Sequence, residues 1–287
     1  MKNLTRFLLL LAYVSLLLIV SCDKEESNPT TIENNQNGDD NGDQNGDDEG
    51  KDNGDNNGNI VFNPDISYGT VTDIDGNSYK TVVIGNQTWM AENLKVTKYN
   101  DGTAIPLLSD LEWYDVATLF IGTYKNYAHD SIFNEEYLAT YGRLYNWYAV
   151  NTGNLCPDGW HVPSDEEWDE LVGYLTTNDY GPGGGRGVAK ALASSSGWNS
   201  SQKNGTIGNN DYPELQNASG FTALPGGYFV MTGGLSEFGK HGYWWSATEY
   251  LAHSAFFRNI RHDNSIVLSP RYNYNKTEYY SVRCVKD

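Results

Sequence analysis

Between residues 23 and 59 the chain is built almost wholly from Asn, Gly, Asp, Gln, Glu, Ser and Thr, and this tract limits the fold more than any other feature. It has no aromatic residue and only Ile32 as a large aliphatic, so no burial can offset the entropy of ordering it. Twelve acidic residues against Lys24 and Lys51 give it a net charge of -10. Glycine recurs at 38, 42, 46, 50, 54 and 58, a period shared with some calcium-binding repeats. Such repeats stack through one apolar residue per turn, and none is present here. The tract therefore reads as a flexible, self-repelling tether, about 120 Å long if fully drawn out and about 30 to 40 Å end to end in solution. What folds must lie in residues 60–287.

Ahead of the tether stand Lys2 and Arg6, then a run from 7 to 20 that is apolar except for Ser15, closing on Ser21 and Cys22. About fourteen mostly apolar residues behind a positive end suit an export signal better than a bilayer span, for which about twenty are needed; a plain membrane anchor is the alternative. The stretch LLIVSC resembles a bacterial lipobox. That resemblance implies removal of residues 1–21, acylation of Cys22 and attachment to a lipid membrane through it. The following DKEE, residues 23–26, resembles the signal that sends Bacteroidetes lipoproteins to the outer face of the outer membrane. The expected organisation is thus a signal peptide over 1–21, a lipidated cysteine and tether over 22–59, and one domain over 60–287 at the cell surface.

The domain keeps -10 of the chain's formal -18, and its 228 residues suit one sizeable core. With that balance and no basic, aromatic-interleaved patch, nucleic acid is excluded as a partner. All eight Trp and all Tyr but Tyr13 fall here. Residues 69–96 read as three strands, with turns at Asp75-Gly76 and Gly85-Asn86. Residues 110–140 show no sustained period, and YGRLYNWYAV, residues 141–150, suits a buried strand or a short helix equally. In the last third, SGFTALPGGYFV, GYWWSATEY, SAFFRNIR, NSIVLSP and YYSVRCVKD read as strands between turns, the final one with Tyr280, Val282 and Cys284 on one face.

LCPDGWHVPSDEEWDEL, residues 155–171, could hold a metal or an acid/base centre. Its spacing favours a helix start. Ser164 and Glu167 form a capping box, Asp165 and Glu166 add negative charge to the first turn, and Trp168, Leu171, Val172 and Leu175 make an apolar face. The carboxylates are expected on the solvent side, with His161 structural. Once Cys22 is acylated, Cys156 and Cys284 are the remaining thiols of an exported chain and are expected to pair; free thiols are the alternative. The glycines at 183–185 lack the Gly-Lys-Ser/Thr ending of a phosphate loop and are expected to lead into a short helix over 188–193.

The ordered set VTDIDGNSYKTVVIGNQTWMAENLKV, YGRLYNWYAV, LCPDGWHVPSDEEWDEL, SGFTALPGGY, GYWWSATEY and YYSVRCVKD resembles the Fibrobacter succinogenes major paralogous domain of exported lipoproteins, over about residues 70–287. GWHVPSDEEW, WWSATEY and VRCV more distantly resemble the formylglycine-generating enzyme group. This implies an α+β, C-type-lectin-like domain of twisted antiparallel strands, one or two short helices and long loops. It does not carry over that group's copper chemistry, which uses a pair of active-site cysteines that this chain lacks.

The favoured function is a surface-displayed module binding an extracellular glycan, with aromatic rings stacking on sugar faces. Trp147, Trp168, Trp244 and Trp245 are read as core, and Trp198, among turn formers, as the exposed ring. Asn209, Asn210, Asp211 and Glu214 form a compositional cluster for sugar hydroxyls or Ca2+, although the Glu-Pro-Asn calcium and sugar motif is missing. The alternatives are a structural or adhesin component that binds protein, and an extracellular enzyme of unknown reaction. For the enzyme, the five histidines name no metal or nucleophile signature; His253 and His262 are candidates to meet across a hairpin.

Overall fold

The computed structural model describes residues 60–129, 132–133, 135–231, 233–268 and 275–287; the expected signal peptide over 1–21, Cys22 and the expected tether over 23–59 lie outside them. In chain order the first elements are β1 (Gly69–Thr72), β2 (Ser78–Ile84), β3 (Gln87–Met90), α1 (Trp113–Thr118), β4 (Tyr124–Lys125), β5 (Ala128–His129) and β6 (Ile132–Phe133). Next come α2 (Glu135–Tyr141), β7 (Leu144–Asn146), α3 (Trp147–Val150), β8 (Trp160–His161), α4 (Asp165–Thr177) and α5 (Ala189–Leu192). The last third holds β9 (Tyr228–Val230), β10 (Gly234–Ser236), β11 (His241–Leu251), β12 (Ser254–Arg261), β13 (Tyr279–Tyr280) and β14 (Val285–Lys286).

The expected N-terminal meander forms. β2 and β3 pair through the two-residue turn Gly85-Asn86, with Gly85 at φ +63°. Between β1 and β2 the turn is longer, because the Asp73 carboxylate accepts the N–H groups of Asp75 and Asn77 and organises the corner around Gly76. The first sheet runs β1-β2-β3-β14-β8 and the second β10-β9-β13-β7-β4, with every strand pairing antiparallel. The domain is thus α+β, with curled antiparallel sheets and few helices.

The C-terminal segment enters both sheets, where one strand was expected. β13 lies inside the second sheet and β14 inside the first, and every residue from 279 to 285 is buried, not one face of alternate residues. The reason is Arg283, which has no exposed surface. Its Nε donates to Asn93 Oδ1 at 3.0 Å, Nη2 to the Thr222 carbonyl at 2.7 Å and Nη1 to the Phe221 carbonyl, while its guanidinium lies 4.3 Å from the Phe221 ring centre. Asn93 Oδ1 also accepts from Trp244 Nε1 at 2.9 Å. These contacts hold residues 221–227 in irregular backbone, so only the end of SGFTALPGGYFV becomes a strand.

The β11–β12 hairpin divides the apolar interior. Trp244 packs with Trp89, Trp168 and Phe221 on one side, and its neighbours Tyr243 and Trp245 pack with Phe257 and Tyr280 on the other. Trp147, Trp168, Trp244 and Trp245 are all core, as the sequence suggests. The Cys156–Cys284 disulfide is formed, with Cα atoms 6.0 Å apart, and lies in the second of these clusters.

α4 begins as read. Ser164 accepts from the Glu167 N–H, Glu167 accepts from the Ser164 N–H, and Trp168, Leu171 and Leu175 are buried. The ambiguous 141–150 stretch is strand and then helix. Asn146 makes the switch: its Oδ1 accepts from Thr123 N at 3.0 Å and caps Ala149 N at 3.1 Å, and its Nδ2 donates to the Ile121 carbonyl.

Replacing Asn93 by Ala leaves the Arg283 and Trp244 donors without their shared acceptor and is expected to cost about 3 to 5 kcal/mol, measured by urea unfolding. Substituting both Cys156 and Cys284 by Ala releases a 128-residue separation, for which loop entropy predicts a loss of about 4 to 5 kcal/mol in the same assay.

Candidate functional site

Four large apolar side chains within residues 113–120 face solvent: Trp113 is 60% exposed, Tyr114 62%, Leu119 65% and Phe120 59%. Trp113 and Tyr114 ride on α1, a helix that buries only Val116, and Leu119 and Phe120 follow its end. Trp113 and Tyr114 stand edge to face with ring centres 5.9 Å apart. Phe120 follows the helix at φ +56°, a left-handed conformation disfavoured for a bulky residue, and its ring meets Tyr148 of α3 at 5.4 Å. Asn146 fixes both ends of that contact, since it caps α3 and bonds the backbone at Ile121 and Thr123. Asp110, Glu112 and Asp115 are exposed on the same segment, which carries no Lys or Arg between 108 and 124. Sequence reading missed this surface because α1 has a single buried position, too few for a period to show.

Trp198, expected as the exposed ring, is half-buried against the core cluster around Trp89 and Trp168. The turn formers before it fold the chain back, so that Trp198 Nε1 donates to Ser194 Oγ at 3.2 Å. Turn composition located the bend correctly, but not which side of it the indole would take.

The Asn209–Asp211 cluster closes on a side chain from α5. Lys190, 1% exposed, sends its ammonium to the Asn209 carbonyl at 2.7 Å, the Asp211 carboxylate at 3.1 Å and the Asp211 carbonyl. Asn209 Oδ1 accepts from Asp211 N, and Asp211 Oδ2 from Gly205 N. Partial burial opposes the charge on Asp211, but the Gly205 N–H and Lys190 outweigh it and hold the carboxyl below its usual range. Asn210, within this loop, and Glu214, beyond it, stay exposed. Sequence reading missed Lys190; the signal that would have found it is a single charge inside the apolar run VAKALA, a position that requires a buried partner.

His161 bridges two carboxylates, with Nδ1 2.6 Å from Asp287 Oδ1 and Nε2 2.8 Å from Glu167 Oε1. Partial burial disfavours its charge, but the Asp287 and Glu167 bonds prevail and raise its pKa. Glu166, Asp169 and Glu170 are exposed, as expected, although Asp169 also reaches buried Arg258, which half-buried Asp165 pairs as well. His253 and His262 flank β12 at opposite ends, so the strand separates them by about 25 to 30 Å and they do not meet. His241 is pushed down to about 4 by burial and by Arg261, whose Nε donates to its Nε2 at 3.0 Å. Among the described residues no three of His, Cys, Asp and Glu converge as metal ligands.

Residues 82–286 match the model of the Fibrobacter succinogenes major domain, and the chain belongs to that family. No curated protein and no solved structure matches it.

The raised pKa of His161 sets a pH dependence. Its ion pairs stabilise the fold fully below the unfolded value of about 6.5, and this contribution is lost as pH rises through the higher folded value. The difference in urea midpoint between the native chain and His161→Gln should therefore be largest near pH 6 and shrink toward pH 9. A difference that stays constant across this range counts against the assignment.

Proposed function

We propose that this chain is a cell-surface lipoprotein whose domain, a variant of the C-type-lectin-like fold, binds a neutral extracellular glycan on the α1 surface. Cys22 supplies the lipid anchor to the outer membrane, and residues 23–59 hold the domain away from it. The observation that carries the reading is the exposure of Trp113, Tyr114, Leu119 and Phe120 within a single short segment. Rings held at fixed angles stack on the apolar faces of sugars at low entropic cost, while carboxylates and amides accept from hydroxyl groups. The charge pattern selects the polymer. Asp110, Glu112 and Asp115, on a segment without Lys or Arg between 108 and 124, repel uronate, sulfate and phosphate chains and leave neutral hexose polymers favoured.

Affinity electrophoresis of the full chain through gels containing neutral β-glucan or polyuronate tests this directly. Retardation by the neutral polymer alone is expected, and Trp113→Ala with Phe120→Ala should weaken it roughly tenfold, at about 0.5 to 1.5 kcal/mol per ring. Trp198→Ala should leave it within about twofold, because that ring is turned into the fold. Unchanged retardation in the double variant rules out this surface as the site. No retardation by any glycan, together with specific capture of a cell-surface protein, favours the adhesin reading.

A further inference from the structure

On the other side of α3 lies a pocket of about 420 Å³, within the range that holds small organic ligands. Tyr148 meets the aromatic surface, while Val150, two residues and about 200° further round the helix, lines the pocket. Its floor is apolar: Val150, Leu155, Val162 and the Cys156 end of the disulfide, all buried. Gly153 and Ala247 form an exposed rim, and a methyl group placed on Gly153 would meet nothing within 4 Å, so the mouth is open there.

The polar end is made by His161, Ser164 and Glu167. His161 is the sole basic residue of the lining, and both its ring nitrogens are already held by carboxylates. It has no proton to offer a ligand. With the carboxylates of Glu167 and Asp287 against the single His161 ring, this end stays net negative in either state of the ring. Each oxygen of Glu167 has one partner, Oε1 with the His161 ring and Oε2 with the Ser164 N–H, and so each keeps a lone pair. The Ser164 hydroxyl accepts from the Glu167 N–H and can donate only its single hydrogen. An apolar floor meeting an acceptor-rich, net-negative end suits a compact apolar body with an ammonium head; an anion of the same shape would face repulsion and find a single donor.

We propose that this pocket is a second binding site, for a small organic ammonium compound whose apolar body fills the floor over the Cys156–Cys284 disulfide and whose ammonium is bonded by Glu167. The site is separate from the glycan surface and does not depend on it.

An isosteric series isolates the head group. Calorimetric titration of the full chain with 1-aminoadamantane, 1-adamantanol and 1-adamantanecarboxylate should rank the amine first by roughly tenfold over the alcohol, with the carboxylate weakest. Glu167→Gln retains a capping residue and should fold, yet it should bring amine and alcohol affinities within about twofold of each other. Ala247→Trp, at the exposed rim, should abolish binding of all three while leaving retention by neutral glucan unchanged. Equal affinities across the series, amine binding that survives Ala247→Trp, or no amine binding at concentrations on the order of 10 mM overturns the proposal.

Discussion

A guanidinium with no exposed surface, and with no salt bridge among the described residues, organises this domain. Burying a charge is expensive unless every donor is answered, and around Arg283 the acceptors are an amide and two backbone carbonyls from segments well over 50 residues away in sequence. Burial pushes its pKa down to about 9, which still leaves it protonated at neutral pH. The charge is therefore present whenever the chain folds, and it is satisfied only after residues 93, 221 and 222 have come together. Partial assemblies leave it stranded. This couples the N-terminal meander, the irregular 221–227 segment and the C-terminal strands into one cooperative unit. Thr222, held at φ +55°, offers Arg283 its carbonyl from a conformation that a β-branched residue adopts only under such constraint.

The disulfide sits one residue beyond that arginine. Cys284 ties the same C-terminal segment to the loop ahead of α4, so the segment shared by both sheets is fixed by charge and by a covalent bond. Both proposed sites lie away from this centre. Both candidate sites flank α3, a single helical turn capped by Asn146, and take opposite faces of it. A surface presented from one anchored turn keeps its rings in register without needing a long helix.

Where local chemistry decides the structure, the sequence was legible. Ser164 and Glu167 cap α4, glycines mark the first hairpins, Cys156 and Cys284 pair, and the four tryptophans in patterned segments are core. Legibility failed where tertiary contacts decide. Residues 141–150 have no local preference, and Asn146 settles them through bonds to a distant segment. Residues 279–287 read as one strand because nothing local shows that Arg283 must be surrounded. Within the candidate site, Trp198 was placed on the wrong side of its turn, and the exposed rings of α1 were hidden by a helix too short to display a period. The lysine inside VAKALA was missed, and its partners, Asn209 and Asp211, become neighbours only in three dimensions.

Lys190 also changes the meaning of the loop it enters. Two carbonyls and a carboxylate around a positive charge form the kind of oxygen nest in which proteins often hold a dissolved ion, but here the ion is bonded to the chain. A tethered ion has no dissociation constant in the ordinary sense, because its local concentration is set by the backbone and not by the medium. Chelators cannot strip it, dilution cannot release it, and its stoichiometry is one by construction. The geometry of residues 205–211 consequently rests on a charge that the chain carries itself.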